Sequence, residues 1–195
     1  REALCANTTA GCNSAHGVAT LYGNTTGYFN TATGAKAMQC NTTGWSGVAL
    51  GACALHSNTT GNYNTAIGYQ ALKTNQTGNY HTAVGFQALQ LTTTGTYNHG
   101  IGVYALTKNT TGGFNTGSGM YNLYNNTTGS YNTASGYGAL KANTTASYNT
   151  AVGHKAMNLN TTGAYNAAFG ECAMYSTTTA TENAAFGRHS LDANT

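Results

Sequence analysis

Small and large apolar residues recur along this chain at fixed intervals, separated by runs of Asn, Thr and Gly. In the stretch NTTGNYNTAIGYQALKT, from Asn58 to Thr74, the aliphatic positions are Ala66, Ile67, Ala71 and Leu72. The next stretch, NQTGNYHTAVGFQALQL, puts Ala83, Val84, Ala88 and Leu89 in the same places. Asn or Thr opens every such unit, at positions 7, 24, 41, 58, 75, 92, 109, 126, 143, 160 and 177 and again at 194, and each step is 17 residues with no insertion or deletion. A fixed period of this kind marks stacked repeats, in which a single unit cannot bury its apolar residues alone.

Counted from the opening Asn, the consensus is N-T-T-G-x-Y-N-T-A-x-G-x-x-A-L-x-x. Position three is Thr in all eleven copies, position nine is only Ala or Gly, and position fifteen is Leu or Met throughout. Position eleven is always Gly: Gly17, Gly34, Gly51, Gly68, Gly85, Gly102, Gly119, Gly136, Gly153, Gly170 and Gly187. An unvaried Gly predicts a turn with positive φ or a close backbone approach. Most units carry two glycines and a TTG triplet, which interrupt any helix long enough to matter. YNTAI, by contrast, alternates and is rich in strand formers, and YQALK predicts a second short strand across the Gly turn.

The expected fold is therefore all-β, a parallel β-solenoid with one 17-residue coil per repeat and about eleven coils. Two or three short strands are expected per coil. Residues 1–195 read as a single repeat domain with partial coils at both ends. At a spacing of about 4.8 Å, eleven coils make a rod of roughly 53 Å. An intertwined homotrimer, with several chains sharing each layer, is a variant of the same pattern.

Composition fits stacked ladders. Only 6% of residues are charged, the formal net charge is +3, and proline is absent. In-register stacking sets like residues above one another, so a charge in the consensus would repel its own copies. Asn and Thr can instead hydrogen-bond along the axis. The seven basic residues are scattered and form no nucleic-acid footprint. The apolar runs are too short for a membrane-spanning helix.

With NTTGNYNTAIGYQAL in view, the chain resembles the 17-residue Asn-Thr-Thr-Gly/Asn-Thr-Ala-x-Gly repeats of phage tail-fibre-like and bacterial surface proteins. Those repeats often adjoin endosialidase-type chaperone domains. The chain is also loosely similar to the heads of trimeric autotransporter adhesins. The resemblance spans almost the whole chain and implies an extracellular, elongated β-rich fibre, a cell-surface appendage or virion fibre. It carries over no catalytic residue. The chaperone domain, a coiled-coil stalk and a membrane anchor are missing from the sequence.

Candidate chemistry is sparse. The four acidic residues, Glu2, Glu171, Glu182 and Asp192, form no recurring carboxylate pair, so neither an enzyme nor an RTX-type calcium coil is expected. The six histidines, His16, His56, His81, His99, His154 and His189, fall at six different repeat positions, so neither a metal centre nor a cofactor is expected. Among Cys5, Cys12, Cys40, Cys53 and Cys172, the pairs Cys5–Cys12 and Cys40–Cys53 are close enough in sequence to bridge a turn. Cys53 and Cys172 share a phase but lie seven coils apart, too far for a disulfide.

Position six is aromatic in eight copies: Phe29, Tyr63, Tyr80, Tyr97, Phe114, Tyr131, Tyr148 and Tyr165. This stripe is expected either to stack and stiffen the rod or to bind glycan or another filament. Nine repeats open with an N-x-[ST] sequon, at Asn7, Asn24, Asn41, Asn58, Asn75, Asn109, Asn126, Asn143 and Asn160. These are candidate glycosylation sites, unless the repeat needs Asn and Thr for its own ladder. Adjacent threonines at positions two and three point to opposite faces in a strand, which weakens an ice-binding reading.

Both ends of the chain stop within a repeat, in the same phases and without an evident cap. Matching uncapped ends predict end-to-end stacking into a filament. The expected function is that of a structural, non-enzymatic subunit or shaft segment of an extracellular fibre, with itself as partner. The alternative is an adhesin or tail-fibre binding module that recognises glycan, matrix or ice through a Tyr- or Thr-rich face.

Overall fold

The computed structural model of the chain describes residues 2–192, so Arg1 and the closing repeat start at 194 lie outside the described residues. Eleven three-residue strands, from β1 (Ser14–His16) to β11 (Ala184–Phe186), occur once per repeat at positions eight to ten. They form one parallel sheet in chain order among the described residues. The register is a single period: Thr65 pairs with Thr82, Ala66 with Ala83 and Ile67 with Val84. The fold is the expected all-β parallel β-solenoid, one coil per repeat.

The expectation of a second or third strand per coil does not hold. Positions twelve to seventeen stack in register but form a chain of turns. The reason is backbone handedness. In the coil from Asn58 to Thr74, Tyr63, Gln70 and Leu72 have φ of 56°, 55° and 52°, and positions six, thirteen and fifteen repeat this in the other coils. Extended pairing fails at such residues, yet the backbone still bonds to neighbouring coils in both directions. Gln70 N–H donates down to Ala52 C=O (3.0 Å), whereas Leu72 N–H donates up to Ala88 C=O (2.9 Å). A left-handed non-Gly residue costs about 1–2 kcal/mol, and these bonds, absent from an isolated coil, offset it.

The interior has an apolar half and a polar half. Ala at positions nine and fourteen and Leu or Met at fifteen, such as Ala66, Ala71 and Leu72, are fully buried and pack as one continuous cluster. The other half is built from the asparagines of positions one and seven. Asn58 Nδ2 donates to Asn41 Oδ1 (2.7 Å), and Asn75 Nδ2 donates to Asn58 Oδ1 (2.8 Å). Most position-four carbonyls accept two amides: Gly78 C=O takes Asn75 Nδ2 from its own coil (3.0 Å) and Asn64 Nδ2 from the coil below (2.8 Å). Buried carboxamides are tolerable only when paired in this way.

The position-eleven glycine is required twice over. Gly85 has φ +136°, and a Cβ there would lie 2.6 Å from the carbonyl carbon of Gly102 in the next coil. No side chain fits between two backbones at coil spacing.

Candidate functional site

The position-six stripe is a continuous ring stack on the surface. Tyr63, Tyr80, Tyr97, Phe114, Tyr131, Tyr148 and Tyr165 stack in unbroken succession, with centroids 4.7–5.0 Å apart and planes within 2–10° of parallel. The rings match the coil spacing because each projects from the same left-handed position. At Ser46, where the file lacks a ring, Trp45 leans in from position five, stacked on Tyr28 (5.3 Å) and edge-on to Tyr63 (4.4 Å). Because each internal ring covers its neighbour's face, the stripe offers ring edges and hydroxyls to solvent. A sugar that needs an open aromatic face finds one only at the ends, where Phe29 and Tyr165 are 58% and 60% exposed against 41–49% for the rings between.

The glycosylation candidates lie on the inner side of the coil. Asn24, Asn41, Asn58, Asn75, Asn109, Asn126, Asn143 and Asn160 are fully buried, and Asn7 is half-buried. The amide of Asn7 donates to Ala10 C=O (2.9 Å), and those of the rest serve the interior files. Once the coil has formed, a carboxamide inside it is closed to a glycosylating enzyme. Each sequon joins this buried Asn to the exposed position-three Thr, and the position-two Thr between them bonds along the axis, as Thr42 Oγ1 does to Thr59 C=O (2.9 Å). The position-three threonine, Thr60 in this coil, is exposed.

All five cysteines are free thiols, so neither Cys5–Cys12 nor Cys40–Cys53 is bridged. His81 is the one histidine inside the coil. It replaces a position-seven Asn and reproduces both bonds of the carboxamide: Nε2–H donates to Gly95 C=O (2.7 Å), and Nδ1 accepts from Asn98 N–H (3.2 Å). Burial lowers its pKa to about 4, outweighing the hydrogen bond to Gly95 C=O, which favours the protonated ring. His56 is also lowered, by burial first and then by Lys73 and Lys36.

A second aromatic file escapes notice in the sequence because it changes phase. Tyr69 stacks on Phe86 at position twelve, the file passes to Tyr104 and Tyr121 at position thirteen, and it returns through Tyr137 to His154. Lys108 and Lys141 lie over Tyr124 and Tyr121, 5.0 and 5.4 Å from the ring centroids. Beyond His154 the column turns ionic. His154 Nδ1 is 3.9 Å from Glu171 Oε1, and Arg188 Nε donates to Glu171 Oε2 (3.1 Å). Cys172, beside Glu171, completes a set of three donor atoms that lie within 4.8 Å of one another. The histidine phases taken alone hide this set. Its signal is one period between His154 and Glu171, with Cys172 adjoining.

Among the described residues no helix is long and apolar enough to cross a membrane. No protein-family model matches the chain, and neither curated proteins nor solved structures yield a significant match.

Proposed function

We propose that this chain is a structural, non-enzymatic shaft segment of an extracellular fibre, able to extend by end-to-end stacking of coils. The observation that carries the reading is that the repeated residues are spent on contacts along one axis. The Asn files, the ring stack and the alternating backbone bonds all link a coil to the coils above and below it. Each coil offers upward the groups that the next accepts from below, so one coil face is complementary to the opposite face of any other. The resemblance to tail-fibre-like and surface repeats supports the same reading.

The competing reading is a binding module for glycan or matrix. It draws on the exposed threonine file at position three and on the edges of the tyrosine stripe. Negative-stain electron microscopy over a range of protein concentrations, beside glycan-array binding, separates the two. A shaft gives rods that lengthen with concentration and retain no glycan. Uniform short particles with saturable glycan binding would replace the shaft with the binder.

A further inference from the structure

We propose that His154, Glu171 and Cys172 form a surface site for a borderline-soft divalent cation, with Zn²⁺ as the type ligand. This inference does not rest on the shaft reading. The donor set is one imidazole nitrogen, one carboxylate oxygen and one thiol sulfur, mutually within 4.8 Å. Thiolate with imidazole selects zinc-like ions over magnesium or calcium, which prefer all-oxygen shells. Three protein ligands leave one tetrahedral position for water, the arrangement of an open zinc site.

The His154 and Glu171 side chains and the Cys172 backbone each have a fixing contact. The His154 ring stacks on Tyr137 (centroids 5.5 Å apart, 19° between planes), which limits its rotation. Arg188 holds Oε2 of Glu171, leaving Oε1 turned to His154. The Cys172 N–H donates to the His154 carbonyl (2.9 Å), which locks the two backbones in register. Support of this kind orients metal ligands and raises affinity. Tetrahedral zinc ligands lie about 3.5 Å apart, given bonds of about 2.0–2.3 Å. His154 and Glu171 are exposed, so side-chain torsions alone can close the remaining gap. Binding converts the Cys172 thiol to a thiolate and releases its proton to solvent.

Cys53 supplies an internal control. It occupies the same repeat position as Cys172, but its position-twelve neighbours are Ala35 and Ala52, which carry no ligand atom. The test is a titration of the full chain with Co²⁺ as spectroscopic probe and with Zn²⁺ by calorimetry, on the parent protein and on C172S, H154A and C53S. One ion per chain should bind, with a thiolate-to-cobalt band in the near ultraviolet. C172S should lose the band, C172S and H154A should each weaken Zn²⁺ binding at least about tenfold, and C53S should match the parent. A variant-free measurement stands beside it: Zn²⁺ should slow alkylation of Cys172, mapped by mass spectrometry, and leave Cys53 unaffected. Equal binding by C172S and the parent, equal loss in C53S, or unprotected Cys172 at saturating Zn²⁺ would each overturn the proposal.

Discussion

Thr177 lies one coil above Asn160, at the same position, and leaves the Asn160 Oδ1 buried with no donor. In other coils a carboxamide fills that place, as Asn143 Nδ2 does for Asn126 Oδ1 at 2.8 Å. The Thr177 hydroxyl is itself buried and unpaired. Thr177→Asn should restore the bond to Asn160 and add one to the carbonyl of Ala180, raising stability by about 1–2 kcal/mol. Urea denaturation checks it; an unchanged or lower midpoint would mean that the Asn file contributes less than its geometry implies. The same defect recurs at Asn75 and Thr92.

Stability should fall with acid through His81. Its neutral ring donates from Nε2 and accepts at Nδ1, so a second proton on Nδ1 would confront the Asn98 N–H. The folded pKa of about 4 lies below the ordinary 6.5, so the unfolded chain binds the proton first as pH falls. The contribution is complete above about pH 6.5 and is lost progressively down to about pH 4, a change of about 3 kcal/mol. His81→Asn should remove this component. Denaturation midpoints at about pH 7.5 and about pH 4.5 should converge in the variant.

The two glycine files should differ in tolerance. Position four accepts a methyl in the native chain, at Ala146, which is buried. In both files a Cβ would meet the next coil's backbone, at Gly61 the Gly78 carbonyl and at Gly85 that of Gly102, but only position eleven adds positive φ. Gly61→Ala should therefore cost about 1–2 kcal/mol, and Gly85→Ala or Gly85→Val more than about 3 kcal/mol. Circular dichroism melts of the variants decide it, and equal losses would refute the distinction.

Gly117 and Asn122 compensate for each other. Asn122 takes a position that is Ala in most coils, and a Cβ on Gly117 would overlap its Oδ1. Asn122 Nδ2 donates to Gly119 C=O, whereas its Oδ1 is buried and unpaired. Gly117→Ala alone should destabilise by about 1–3 kcal/mol. With Asn122→Ala it should be neutral or stabilising, since that pair is the common coil interior. A double-mutant cycle should show coupling of at least about 1 kcal/mol.

Much of this architecture is legible in the chain, because a strict period and an unvaried Gly leave few alternatives to stacked coils. The strand at Thr65–Ile67 follows from alternation; the missing strand at positions twelve to seventeen does not. Its left-handed residues carry ordinary side chains, so composition conceals them. One trace survives: positions six, thirteen and fifteen never hold Thr, Val or Ile, the residues least able to adopt positive φ. The burial of Asn58 was equally hidden, since a sequon and a buried amide ladder share the same letters. His154, Glu171 and Cys172 meet only because the coil adds one period to sequence distance.

The most direct test is X-ray diffraction from concentrated protein aligned by flow or drying. Coils stacked along the shaft axis give a strong meridional reflection near about 4.8 Å, with the sheet hydrogen bonds parallel to that axis. An equatorial 4.8 Å reflection, or its absence from well-aligned samples, would contradict a shaft built by stacking one coil upon the next.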